Sequence, residues 1–209
     1  MEKLIIPSII AKSQEELEKK IKKVSNLSSW LQLDIMDGKF VPNKSLDFNF
    51  ILPKTSCKFE AHLMIEAPDK WVTKNLKKVH KILIHYETSK NTSRLIQFVK
   101  ENKKKIGIAI NPETPLNNIT KYLNEIDQVT IMTVHPGFYG GKFMPNVLQK
   151  VTVLRKLKPS LNIEVDGSIT DATIEMALKA GANLFACGSY LIDSENIQQD
   201  FFIIRSKII

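Results

Sequence analysis

The chain has 209 residues, 43% of them hydrophobic and 25% charged, with 30 Lys and Arg against 22 Asp and Glu for a formal net charge of +8. That size suits one globular domain over 1–209 with a single substantial core, and the ordinary composition excludes a disordered chain, a collagen-like fibre and a disulfide scaffold. The longest apolar stretches, such as Leu4–Ile10 and Phe201–Ile204, fall far short of the roughly 18 residues a membrane-spanning helix needs, so no membrane partner is expected.

Met1-Glu2-Lys3 runs at once into apolar Leu4–Ile10, which contains Pro7 and reads as a first strand. The small-residue cleavage site of a secretory signal is lacking there, so a cytoplasmic protein is expected. Ser13-Gln14-Glu15-Glu16 has capping-box spacing ahead of a Leu17, Ile21, Val24 stripe, which predicts a helix starting at Ser13. Further strands are predicted over Leu31–Asp37, Phe59–Ile65, Lys81–Glu87, Ile106–Asn111, Val129–Val134, Asn162–Asp166 and Asn183–Gly188. Val41–Ser56 reads as irregular because Pro42 and Pro53 break any long helix. Helical segments are predicted from Pro68 around Trp71, over Asn91–Glu101, Leu116–Ile126 and Asn146–Leu157, and after Thr170-Asp171 along Ile174, Ala177 and Leu178 to Gly181. Cys57 and Cys187 have no CxxC spacing and fall near apolar runs, so buried free thiols are expected.

Strands that alternate with helices, without a linker or a break in composition, predict an α/β chain folded as a single-domain (β/α)8 TIM barrel rather than an open doubly wound sheet. The chain is lean for a barrel that usually runs to about 250 residues, so long insertions are not expected. The positive charge raises the question of nucleic acid, with runs at Lys19-Lys20-Ile21-Lys22-Lys23 and Lys103-Lys104-Lys105. Both runs lie on or just after amphipathic helices and have no interleaved aromatics, so solvated faces and no nucleic-acid partner are expected. A mild general attraction for anionic substrates is left.

In such a barrel the active face lies at the C-terminal ends of the strands. The two-residue period of a strand puts Gln32, Asp34 and Met36 on one face, opposite Leu31, Leu33 and Ile35. His62 and Met64 repeat the arrangement on the next long strand, and Asp166 ends a later one just before Gly167-Ser168. An acid inside a barrel mouth has to be paired, protonated or metal-bound, so two carboxylates and an imidazole converging there point to chemistry. Pro136-Gly137-Phe138-Tyr139-Gly140-Gly141, Gly167-Ser168 and Gly188-Ser189 supply small residues where the backbone can approach an anion, and barrels often hold phosphate at that end. A phosphorylated small molecule is expected. There is no GxGxxG fingerprint and no P-loop to suggest a nucleotide.

Six motifs occur in order over nearly the whole chain: Pro7-Ser8-Ile9-Ile10, Leu33 to Asn43 (LDIMDGKFVPN), Ala61-His62-Leu63-Met64-Ile65, Asn111 to Leu116 (NPETPL), Met132 to Phe138 (MTVHPGF) and Val165-Asp166-Gly167. Together they resemble the ribulose-phosphate 3-epimerase family. The resemblance implies a TIM barrel that interconverts D-ribulose 5-phosphate and D-xylulose 5-phosphate, with a divalent metal ion drawn from Zn, Fe, Mn or Mg. By the same resemblance Asp34 and Asp166 match the acid/base pair that also ligates the metal, His62 a metal ligand that lies against substrate, and Ser8 a substrate contact. Gly137, Phe138, Tyr139, Gly140, Gly167, Ser168, Gly188 and Ser189 match the loops that enclose the phosphate. Met36, Met64 and Met132 match methionines over the reacting carbons, although as residue types they read equally well as barrel filler. A phosphorylated ketose is the implied partner, and a homo-oligomer is expected.

Five positions depart from the pattern. Family members usually carry His where this chain has Gln32, two positions before Asp34. An amide oxygen in that fourth ligand position should hold zinc or ferrous iron less well, which favours a harder ion such as Mn or Mg and leaves a catalytically silent phosphosugar-binding relative as an alternative. Tyr139 and Gly141 replace the glycine and glutamine of the usual loop. Ser168 replaces a second glycine and resembles the allulose-6-phosphate 3-epimerases, a further alternative that concerns the length of the sugar. His135 stands where a carboxylate or Asn is usual, and its plain reading is a loop histidine bonded to backbone.

Overall fold

The computed structural model describes residues 1–138 and 140–209. Its strands are β1 (Leu4–Ile9), β2 (Trp30–Asp37), β3 (Lys44–Ser45), β4 (Lys58–Met64), β5 (Lys81–His85), β6 (Lys105–Ile110), β7 (Gln128–Met132), β8 (Asn162–Asp166) and β9 (Leu184–Cys187). All except β3 pair in parallel with their neighbours in the chain, and β1 pairs with both β9 and β2, which closes the ring into the expected (β/α)8 barrel. The helices are α1 (Gln14–Val24), α2 (Pro68–Asn75), α3 (Thr92–Glu101), α4 (Leu148–Leu157), α5 (Ile174–Ala180), α6 (Ser189–Ile192) and α7 (Ile197–Ser206).

The alternation read in β2 is realised. Leu31, Leu33 and Ile35 face outward into the main core, which they share with Leu17, Ile21 and Val24 of α1. The bulk of the apolar burial that stabilises the fold lies in this layer between strands and helices. The barrel interior mixes apolar side chains such as Ile6 and Leu83 with layers of polar ones. Register sets Gln32 beside Glu60 and Asp34 beside His62, so inward side chains stack in layers. Toward the N-terminal ends of the strands, Lys81 Nζ donates to Glu60 Oε2 and Gln128 Oε1, both at 2.6 Å, and Thr130 Oγ1 donates to Glu164 Oε1 at 2.9 Å. All five residues are buried. Burial, with the Glu60 charge adding to it, pushes the Glu164 carboxyl well above its ordinary range.

Several local signals act as read. Ser13 caps α1 by accepting the Glu16 N–H at 3.1 Å, and Gly181 ends α5 in the left-handed region at φ +112°. Lysines of the first basic run bind the loops of their own barrel, Lys20 through Ile10 O and Lys23 through Ile192 O. Cys57 and Cys187 are buried free thiols. Among the described residues no helix is long and apolar enough to cross a membrane.

Other expectations need correction. Leu116–Ile126 is not a helix but two short 3-10 turns, Leu116–Asn118 and Thr120–Tyr122. Asn and Thr compete with helical hydrogen bonding, as Thr120 Oγ1 does by donating to Asn117 O at 3.0 Å. The segment predicted from Asn146 becomes α-helical only at Leu148, after a 3-10 turn over Pro145–Val147. Thr173, not Thr170, precedes α5, and its hydroxyl accepts the Thr170 N–H at 2.9 Å and donates to Ser168 O at 2.8 Å. The irregular stretch after β2 holds the small strand β3, antiparallel to β2 through Met36 and Ser45. Ser45 Oγ accepts the Ala11 N–H at 3.0 Å, which ties this loop to the end of β1. Helix α7, capped by Asn196 and anchored by buried Phe201 and Ile204, was not anticipated.

Candidate active site

Inward alternation on β1, β2, β4, β7 and β8 delivers the reactive side chains to the barrel mouth. A cavity of about 170 Å³ opens there, lined on its inner side by Ser8, Asp34, Met36, Met64, Met132 and Asp166. Its rim is made by Gly137, Phe138, Gly140, Gly167, Ser168, Gly188 and Ser189. Of the expected site residues, Gln32 and His62 are fully buried behind the two aspartates, and Tyr139 lies outside the described residues.

Gln32 joins the acids. Its Nε2 donates to Asp34 Oδ1 at 2.9 Å and to Asp166 Oδ2 at 2.7 Å. His62 Nδ1 lies 3.4 Å from the same Asp34 oxygen and 3.1 Å from the same Asp166 oxygen. An amide has two N–H groups, and both are used on the carboxylates, so His62 must bring its own proton to them. Burial disfavours charge on this imidazole, but the hydrogen bonds and charges of Asp166 and Asp34 outweigh burial and raise its pKa to about 10. Burial raises the Asp34 carboxyl above its usual range, and the Asp166 charge pushes the same way against the His62 and Gln32 hydrogen bonds.

The same group has the donor set of a cation site. Asp34, His62 and Asp166 each offer a ligand atom, all within 4.8 Å of one another. Gln32 Oε1 is buried without a hydrogen-bond partner, and a half-turn of the amide would exchange it with Nε2. Two carboxylate oxygens would repel that oxygen unless a cation stood among them, so the residues fit a divalent ion.

Two further polar residues join this cluster from the end of β5, and the sequence reading gave neither a role. His62 Nε2 lies 2.9 Å from His85 Nε2, and His85 Nδ1 lies 3.1 Å from Glu87 Oε2. Glu87 Oε1 accepts the Asn111 N–H at 2.7 Å and also the Thr114 hydroxyl. Burial works against the Glu87 charge, yet these hydrogen bonds, that of His85 first, hold its pKa down at about 2. The available signal is the His-x-Glu spacing at the end of the predicted strand Lys81–Glu87.

On the rim, Gly167 has φ +121°, and a Cβ there would stand 2.5 Å from Val134 Cγ2. Ser168 also adopts a left-handed φ of +51°, and its hydroxyl donates to Gly141 O. His135 is exposed, with Nε2 3.4 Å from Glu113 Oε1, so its partner is a carboxylate rather than backbone.

A closed parallel barrel with two acids and an imidazole around one cavity at its C-terminal mouth defines a barrel enzyme equipped for acid–base chemistry. The sequence profile described as the Ribulose-phosphate 3 epimerase family matches residues 4–192, and the chain belongs to that family. It is 36% identical over 213 residues to the ribulose-phosphate 3-epimerase of Bacillus subtilis, covering 97% of this chain and 98% of the relative. Identity to the enzyme of the same name from Candida glabrata is 32% over 226 residues, covering 98% and 92%. Among solved structures, 3-hexulose-6-phosphate synthase from Salmonella typhimurium superposes with a TM-score of 0.70 at 12% identity, over 98% of this chain and 97% of the other, a likeness of fold. By family and relatives the protein is an epimerase.

Proposed function

We propose that the protein interconverts D-ribulose 5-phosphate and D-xylulose 5-phosphate by proton transfer at C3, with Asp34 and Asp166 as base and acid that exchange roles with the direction of reaction. The observation that carries this reading is that both carboxylates border one cavity whose opposite rim is built from Gly137, Gly140, Gly167, Ser168, Gly188 and Ser189. A proton beside a carbonyl is poorly acidic, and inverting its carbon needs one group to remove it and another to return a proton to the opposite face. Two acids suit this task when one is ionised and the other holds a proton. The small-residue loops would grip the phosphate through backbone N–H groups and so hold C3 between the acids. Ser8, with Met36, Met64 and Met132, would line the sugar's path and keep water away from the reacting carbon.

Asp34, His62 and Asp166, with the Gln32 amide oxygen, would hold a divalent cation. Such an ion supplies Lewis-acid stabilisation of the negative charge that develops on the substrate's oxygens. With no ion bound, the His62 proton and the Gln32 N–H groups hold the two carboxylates together instead.

The test is solvent exchange. In heavy water the purified protein should place deuterium at C3 of ribulose 5-phosphate, and substrate that stays unlabelled would overturn the proposal. Ser168 at the cavity rim supports a second reading, a six-carbon 2-ketose 6-phosphate as substrate, so allulose 6-phosphate belongs in the same assay.

A further inference from the structure

We propose that Glu87 and His85 are positioning residues that keep the proton of His62 on Nε2 and so dedicate its Nδ1 to the space between Asp34 and Asp166. The argument follows donors and acceptors outward. Glu87 gathers three donors, His85 Nδ1, the Asn111 N–H and the Thr114 hydroxyl, so it stands as an ionised acceptor. His85 must then carry its proton on Nδ1. A neutral imidazole with a proton on one nitrogen presents a lone pair on the other, which makes His85 Nε2 an acceptor. The atom 2.9 Å from it is His62 Nε2, which can make that contact only as a donor. The two ring planes lie 15° apart, and Phe40 packs on His85 at 4.9 Å between centroids, so the relay is held rigid and shielded. Both histidines are fully buried, so bulk solvent does not reach either Nε2.

This inference deepens the proposed function, but only its catalytic consequence rests on that reading. Whatever occupies the space between the carboxylates meets Nδ1, as an N–H toward the acids or as a lone pair toward a cation. Outer partners of this kind orient a ligating imidazole and typically change metal affinity by about 10–100-fold when altered.

The decisive measurement is nitrogen NMR of the intact protein labelled with 15N-histidine, which has four histidines to assign. His85 should show a protonated Nδ1 and an unprotonated Nε2, the less common tautomer of free imidazole, whereas a proton on His85 Nε2 overturns the proposal. Glu87→Gln provides an isosteric reversal. The Asn111 N–H keeps the new amide's oxygen, its NH2 group turns to His85 Nδ1, and the His85 proton should move to Nε2. Manganese affinity, followed by electron paramagnetic resonance, should then fall about 10–100-fold. An unchanged His85 tautomer and unchanged affinity in Glu87→Gln also overturn it. Because the wild-type spectrum involves no turnover, a correct tautomer without deuterium exchange would refute the epimerase reading and leave the relay standing. The opposite pair of results would do the reverse.

Discussion

Gln32 and Asp166 are 134 residues apart in the chain, yet the amide nitrogen of one donates to the carboxylate of the other across 2.7 Å, while the same nitrogen holds Asp34. A neutral side chain therefore bridges the two acids on which the proposed chemistry rests. It uses its donors where a cation would bring positive charge.

Replacing either acid should abolish proton transfer and spare the fold. Asp34→Asn and Asp166→Asn are each expected to lower kcat by about 10²–10⁴-fold, the range for loss of a general acid or base. Melting temperatures should fall only modestly, because the His62 imidazolium keeps the other carboxylate as its partner. Steady-state kinetics beside thermal melts would check this, and an active Asp34→Asn protein would defeat the two-acid scheme.

The raised pKa of His62 gives a signed pH dependence. Its folded value of about 10 exceeds the ordinary 6.5, so its contribution to stability is complete below about pH 6.5 and disappears as pH rises through 10. Asp34, also raised, acts with the same sign at lower pH. Chelator-treated protein should therefore melt at falling temperatures from pH 6.5 to 10, and His62→Gln should flatten that slope. A wild-type melting temperature that climbs over the interval would contradict the assignment.

Metal choice should follow residue 32. An imidazole in place of the amide supplies a nitrogen ligand, so Gln32→His is expected to tighten zinc binding by at least about tenfold, with a smaller gain for magnesium. Competition against a chromogenic chelator reports both constants. Equal affinities in the two proteins would mean that Gln32 does not reach the ion.

The lower polar layer should be needed for folding. Lys81→Met leaves Glu60 buried without its cation, a defect that typically costs about 3–5 kcal/mol. Denaturant titration would measure it, and a loss below about 1 kcal/mol would show that the layer rearranges freely.

Gly167→Ala is expected to loosen the cavity rim. The new Cβ would meet Val134 at 2.5 Å in a left-handed backbone, so the variant should lose about 1–3 kcal/mol of stability and bind inorganic phosphate more weakly. Melting with and without phosphate distinguishes the two effects.

Much of this site could be read along single strands. The two-residue period of β2 separates Gln32, Asp34 and Met36 from the core leucines, and the position of Asp166 just before Gly167 places it at a strand end. What failed depends on neighbours. His85 lies in a predicted strand, but that its Nε2 meets His62 follows from the register of β4 against β5, which a linear pattern does not contain. Leu116, Ile119, Leu123 and Ile126 have helical spacing and are all buried, so their period was informative. The local hydrogen bonds of Asn117 and Thr120 nevertheless favour tighter turns over a continuous helix.

The layer of Glu60, Lys81, Gln128, Thr130 and Glu164 gives the barrel a sealed floor. Among the described residues this layer closes the barrel beneath the cavity, so the proposed sugar phosphate would enter and leave through the mouth. Substrate and product on the proposed reading would then compete for a single entrance, so each is expected to act as a competitive inhibitor of the other's conversion.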